Sequence, residues 1–284
     1  MTNKPFLKIF LLSVLLHIIV IPFRGGWAGI DYSSIVGFIT YFFLAMFCLE
    51  KYKKTLPTWK ILLALFSGRC FIDSPVIIYY FLGETWSLPE FLLHALGIIC
   101  GFLYRRLKKP LNILTALLCF SIAVFMFFQG YNYWLHKRNF GTFTGEVSYS
   151  LPTKFEAFDE SKNLITESNL NNKIILLDFW HTRCGVCFEK FPQVQAVYEK
   201  YKNDPSVMIL AVDKPIEEDK PNQAFEMIRE EGYSFPVVIA RDEDMPEKFG
   251  VKGYPTTFVI NPKGNIVFKG DIAGAVRQVE KMKR

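Results

Sequence analysis

Metal ligands are scarce in this chain. Its 284 residues include six cysteines and four histidines, and beyond residue 135 the only ones are His136, His181, Cys184 and Cys187. A closed structural zinc site wants four Cys or His ligands, so the second half lacks the set. Acidic residues are nearly as scarce in the first half. Residues 1–140 hold 5 Asp/Glu against 14 Lys/Arg, a net of +9, whereas residues 141–284 hold 22 against 19, a net of −3. The whole-chain charge of +6 would invite a nucleic-acid reading, but its excess lies in the apolar half, where positive loops between membrane spans account for it. No nucleic-acid partner is expected.

Apolar residues are abundant instead: 51% of the chain, with 28 Phe. Five long stretches run from Phe6 to Phe23, Ile30 to Leu49, Ile61 to Leu82, Leu88 to Tyr104 and Leu111 to about Trp134. Each approaches the roughly 20 residues that a helix needs to cross a bilayer. Lys and Arg are nearly absent from alternate loops. One set of loops carries Lys4 and Lys8, then Lys51, Lys53, Lys54 and Lys60, then Arg105, Arg106, Lys108 and Lys109; the other carries Arg24 alone. This alternation predicts a cytoplasmic N-terminus and, after five spans, an extracytoplasmic or periplasmic second half at the cell (inner) membrane. A rival reading takes residues 1–28 as a cleaved signal peptide ending at Gly26-Trp27-Ala28; the later spans then keep their orientation.

Within the third stretch, GRCFIDSP places Arg69, Asp73 and Pro75 at membrane depth. Arg69 and Asp73 are one helical turn apart and can pair, and ionisable groups inside a membrane are functional candidates. His17 and His94 read as packed or interfacial histidines. Cys48, Cys70, Cys100 and Cys119 have no close spacing among them, and free cysteine packs as a small hydrophobe.

The second half changes period. Residues 136–150 are polar and Gly/Thr/Ser-rich, as in a linker. Strands are predicted at 173–180, 207–213, 235–240, 256–260 and 265–270, with helices at about 184–201, 222–232, 245–250 and 272–283. Asn261-Pro262-Lys263-Gly264 reads as a hairpin turn. The resulting plan is a membrane domain over 1–135, a linker over 136–150 and an α/β domain over 151–284, with a mixed central sheet flanked by helices.

The segment DFWHTRCGVC sets Cys184 and Cys187 at the junction of a strand and a helix. Helix N-terminal N–H groups stabilise a thiolate at Cys184, and Arg183 adds positive potential. A permanent disulfide closing so small a loop would stabilise little. The pair is therefore read as an exchanging dithiol, with Cys184 attacking and Cys187 resolving.

DFWHTRCGVC resembles the active-site segment of thioredoxins, and KGYPTTFVINPKGNIVFKG resembles the segment carrying their cis-proline. The likeness covers 146–284. The stretch EEGYSFPVVIARDEDMPEKFGVKGYP lengthens the plan by a strand and a helix, as in the TlpA/ResA group of membrane-tethered thiol–disulfide oxidoreductases. This resemblance implies a cis-proline at Pro255, a proton-shuttling acid at Asp178 and aromatic shielding by Trp180. Arg183, Val186 and Tyr254 depart from the family pattern and are expected to tune the redox poise. It also implies no cofactor beyond the redox-active Cys184–Cys187 disulfide. The implied partners are extracytoplasmic protein thiols and disulfides and a membrane or periplasmic electron donor. The alternative is an electron conduit in which Cys48, Cys70, Cys100 and Cys119 feed the outer domain.

Overall fold

A computed structural model describes residues 4–24, 32–80 and 87–284, without the side chains of 75–80. It divides into two compact units, Met1–Leu135 and His136–Arg284. The Gly26-Trp27-Ala28 stretch lies outside the described residues.

The first unit is helical. Its elements are α1 (Lys4–Val20), α2 (Ser33–Tyr52), α3 (Thr58–Tyr80), α4 (Leu88–Arg106) and α5 (Leu111–Phe125). A π-helical turn at Met126–Gly130 carries α5 into α6 (Tyr131–Phe140). Among the described residues, four helical segments are long and apolar enough to cross a membrane: Lys4–Phe23, Ser33–Tyr52, Leu88–Arg106 and Leu111–Phe140. The expected third span is helical as α3, but its predicted end at Leu82 and the side chain of Pro75 lie outside the described residues. Large apolar side chains such as Leu15, Ile19, Phe43 and Leu118 face outward. That is the reverse of a water-soluble bundle and suits a lipid surface.

Small residues set the closest packing. Gly97 and Gly101, four residues apart on α4, meet the backbone of α2: a Cβ at Gly97 would stand 2.4 Å from the Phe38 carbonyl, and one at Gly101 2.7 Å from that of Phe42. This small-xxx-small pattern lets two helix backbones approach where lipid supplies no hydrophobic drive.

The second unit is built on one eight-stranded sheet. Its strands are β1 (Glu146–Ser150), β2 (Glu156–Phe158), β3 (Leu164–Thr166), β4 (Ile174–Trp180), β5 (Val207–Asp213), β6 (Val237–Ala240), β7 (Thr256–Ile260) and β8 (Asn265–Gly270). They lie in the order β1-β8-β7-β4-β5-β6-β2-β3. The helices are α7 (Glu167–Leu170), α8 (Gly185–Tyr201), α9 (Gln223–Glu230), α10 (Met245–Lys248) and α11 (Ile272–Lys283). β4 is parallel to β5 and antiparallel to β7. All seven β4 residues are buried, because the strand is central and covered on both faces. Alternate side chains divide between two cores. Leu176 and Trp180 pack with Phe191 and Val194 of α8 and Ala275 and Val279 of α11. Ile175, Leu177 and Phe179 pack with Phe155, Met245 and Phe249.

The stretch expected as a linker is mostly structured. Residues 136–140 end α6, and Glu146–Ser150 form β1, paired antiparallel with β8. Only residues 141–145 connect them, with positive φ at Gly141 and Gly145. β1 is a polar edge strand, so it lacks the apolar run that betrays a buried one.

Candidate active site

The site forms where β4 ends and α8 begins. Cys184 caps α8, and its Sγ accepts a hydrogen bond from the Cys187 N–H at 3.2 Å. Cys184 and Cys187 are joined as a disulfide, with Cα atoms 5.2 Å apart. Cys184 is 7% exposed and Cys187 0%, so of the two sulfurs Cys184 alone is open to an incoming group. Once the bond opens, the helix dipole and the Cys187 N–H favour charge on Cys184.

Behind the pair, β4 contributes Asp178 and Trp180. Trp180 is fully buried, with its ring edge-on to Phe188 and Phe191 of α8. Asp178 is opposite Thr257 in the β4–β7 register, and its Oδ1 accepts a hydrogen bond from the Thr257 hydroxyl at 2.7 Å. Burial pushes the Asp178 carboxyl up to about 6, against the opposing effect of the Thr257 hydrogen bond. A group near 6 can hold or release a proton at the pH where thiols exchange.

Pro255 follows a cis peptide bond from Tyr254, at the entry to β7. The Tyr254 ring meets His181 edge-on, with centroids 5.0 Å apart. Because His181 lies in the loop between Trp180 and Cys184, this contact ties the cis-proline loop to the dithiol loop. Val186, between the cysteines, is 53% exposed and offers an apolar tip. Arg183 lies 3.4 Å from Glu218, and both side chains are largely exposed. The positive potential expected from Arg183 is thus shared with a carboxylate, a correction that no spacing in the sequence could signal.

Sequence reasoning missed one acid. Asp213 ends β5 directly beside Trp180 in the β4–β5 register and is buried. Its burial, with Asp219 nearby, pushes its carboxyl up to about 8. Asp178 Oδ2, Trp180 Nε1, Asp213 Oδ1 and Tyr254 Oη are all buried without a hydrogen-bond partner.

Comparison with known proteins gives the chain's relatives. Residues 149–269 match the AhpC/TSA family. The chain is 34% identical over 109 residues to the thiol-disulfide oxidoreductase ResA of Bacillus subtilis (strain 168), covering 38% of this chain and 59% of that relative. It is 30% identical over 128 residues to ResA of Bacillus cereus (strain ATCC 10987), covering 42% of this chain and 72% of the relative. The chain belongs to the ResA family. Among solved structures, the thioredoxin domain of a thiol-disulfide oxidoreductase from Bacteroides vulgatus aligns with a TM-score of 0.42 and 22% identity, over 48% of this chain and 97% of that one. The AhpC/TSA match lies within the second unit, and the chain spans little more than half the length of the B. subtilis relative.

The helical unit holds a second polar centre. Arg69 donates to Asp73, as their spacing implied, and its Nε donates to His94 Nδ1 at 2.7 Å. His94 Nε2 then faces the Ser33 carbonyl at 3.0 Å. Arg24 Nε donates to Glu90 Oε2 at 2.5 Å. His17 lies 3.3 Å from Arg69 and 3.4 Å from Asp73. His17, Glu90 and His94 are close enough to share a cation, but Arg69 touches both histidines and so occupies the place of one. Two guanidinium groups balance two carboxylates, while His17 Nδ1 and Arg69 Nη2 are buried without a hydrogen-bond partner.

Proposed function

We propose that this protein is a membrane-anchored, extracytoplasmic thiol–disulfide oxidoreductase that reduces protein disulfides through Cys184 and Cys187. The observation that carries this reading is the Cys184–Cys187 disulfide at the N-terminus of α8, tied through His181 and Tyr254 to the cis-Pro255 loop. Family membership supports the chemistry, and the loop charges support the sidedness.

In this mechanism the Cys184 thiolate attacks one sulfur of a substrate disulfide. A mixed disulfide forms and the first substrate thiolate leaves. Asp178 takes the proton from Cys187, whose thiolate then attacks Cys184 Sγ and releases the second substrate thiol. The dithiol loses two electrons and the substrate disulfide gains them. A reductant in the membrane or beyond it restores the dithiol. Pro255 orients the substrate strand, while Trp180 keeps water from the resolving sulfur. Arg183, Val186 and Tyr254 set the poise at the rim, and no metal or organic cofactor enters the steps.

The test is reduction of a protein disulfide by the purified full chain under a recycling dithiol. Turnover is expected in the parent and none in Cys184→Ser, while in cells the pair should rest reduced on the outer face of the membrane. A pair that rests oxidised would reverse the direction, and activity surviving in Cys184→Ser would remove the reading.

A further inference from the structure

Four cysteines of the helical unit take no part in the chemistry above, and the fold treats them differently. Cys48 packs among Tyr41, Ala45 and Ile61, and Cys70 is half-buried on α3. Cys100 on α4 and Cys119 on α5 are brought together in one apolar cluster with Phe38, Leu93 and Ala123. The two are only 1% and 6% exposed.

A groove of about 380 Å³ runs beside them, between α2, α4 and α5, and Cys100 forms part of its wall with Phe38, Phe42, Ala116 and Phe120. Of its lining side chains, only the Cys100 thiol and the Tyr104 hydroxyl carry a polar atom. Phe43 and Leu117, also in the lining, are 62% and 58% exposed, so the groove opens on the apolar outer surface of the bundle. Its volume lies in the ordinary range for small-molecule sites, which are mostly apolar with a few placed polar groups.

We propose that Cys100 and Cys119 are a second redox pair, which exchanges two electrons with an uncharged, apolar carrier of the quinone class seated in this groove. Three observations select that carrier. Both sulfurs lie mid-helix in an apolar cluster, without the helix N-terminus that favours a thiolate at Cys184, so a protein thiol finds no thiolate to exchange with. The apolar lining excludes charged small thiols, whose desolvation nothing in the groove would offset. The opening faces the surface that lipid would cover, where an apolar carrier is concentrated, and Tyr104 can donate a hydrogen bond to a quinone oxygen. In the oxidising direction two S–H bonds break and one S–S bond forms, joining α4 to α5. The two electrons and two protons pass to the quinone, giving a quinol; the reverse step returns them. This inference rests on the membrane reading of the bundle and is independent of exchange at Cys184 and Cys187.

The test uses the full chain carrying Cys184→Ser and Cys187→Ser, reduced and held in lipid nanodiscs, so that only the membrane cysteines report. Addition of a decyl-substituted benzoquinone should give a Cys100–Cys119 disulfide, identified by peptide mass spectrometry, with about one quinol formed per disulfide, since the couple is a two-electron one. Oxidised glutathione should leave the pair reduced. Filling the groove with Ala116→Phe, or blocking its mouth with Leu117→Trp at an exposed position, should slow the quinone reaction by on the order of tenfold or more, as for a pocket-bound ligand. The proposal is overturned if the thiols persist under quinone. It is also overturned if oxidised glutathione works as well, or if both groove variants, eluting as the parent does, react at the parental rate.

Discussion

The two halves of this protein each bring two cysteines together, by opposite means. In the second unit Cys184 and Cys187 are three residues apart and meet because a helix starts between them. In the helical unit Cys100 and Cys119 are distant in sequence and meet because α4 packs on α5. The first pair has a helix N-terminus, a backbone N–H donor and a buried acid on the neighbouring strand. The second has an apolar groove and no such donor among its described contacts. In the proposed readings, local pairing at a helix end favours a thiolate able to attack a protein, whereas tertiary pairing in an apolar bundle favours neutral thiols. The same residue type thus acquires two reactivities from its surroundings.

The sharpest break in this comparison comes from the first pair. Cys184→Ser should lower turnover of a protein disulfide below detection, while Cys48→Ala, in the other half, should leave the rate within about twofold, since distant sites act independently. Equal loss in both variants would mean that the halves are not separate devices. Next in size is the ion network. Arg69→Leu removes one partner of Asp73, leaving His17 and Arg24 beside it, and should cost at most about 3–5 kcal/mol. A differential scan of the full chain in detergent should then show the helical unit melting earlier and the second unit unmoved.

Asp178→Asn should slow release from the mixed disulfide by roughly 100-fold, a typical contribution of a positioned general base. It should also remove an ionisation near pH 6 from the rate profile. Loss of rate with that limb retained would assign the limb to another group.

Asp213 offers a pH test of stability. Its folded value of about 8 lies above the unfolded value of about 3.9, so the folded state holds the proton more tightly. Stability from this group is present below pH 4 and is lost as pH rises toward 8, by at most about 1.4 kcal/mol per pH unit. Asp213→Asn should flatten the denaturation midpoint of the second unit over that window; an unchanged slope would place the titration elsewhere. The smallest effect belongs to the rim. Arg183→Gln removes an exposed pair with Glu218 and should change stability by less than about 1 kcal/mol, moving the redox potential more than the fold.

Much of this was legible in advance, for stated reasons. β4, β5, β7 and β8 are apolar runs bounded by turn residues, and Asn261 confirms the predicted hairpin by accepting hydrogen bonds from Lys263 and Asn265. Cys184 and Cys187 were legible because their partnership is local. The cis bond at Pro255 was legible only through resemblance, since proline alone permits either isomer. β1, β2 and β3 were missed because they are short and partly polar. The contacts between His181 and Tyr254, between Arg183 and Glu218, and between Cys100 and Cys119 are tertiary, and no local period encodes them. Asp213 closes an apolar strand and looked like a strand-end residue; its burial follows from β4 lying beside it.

In the proposed cycle Cys184 attacks a protein disulfide on the outer side of a membrane and Cys187 resolves the product. Trapping tests it most directly: Cys187→Ser is expressed in cells, free thiols are blocked, and the chain is isolated without reductant. The account predicts covalent adducts with extracytoplasmic proteins that vanish on reduction and are absent when Cys184→Ser is added. Adducts that survive Cys184→Ser, or that form only with cytoplasmic proteins, would contradict it.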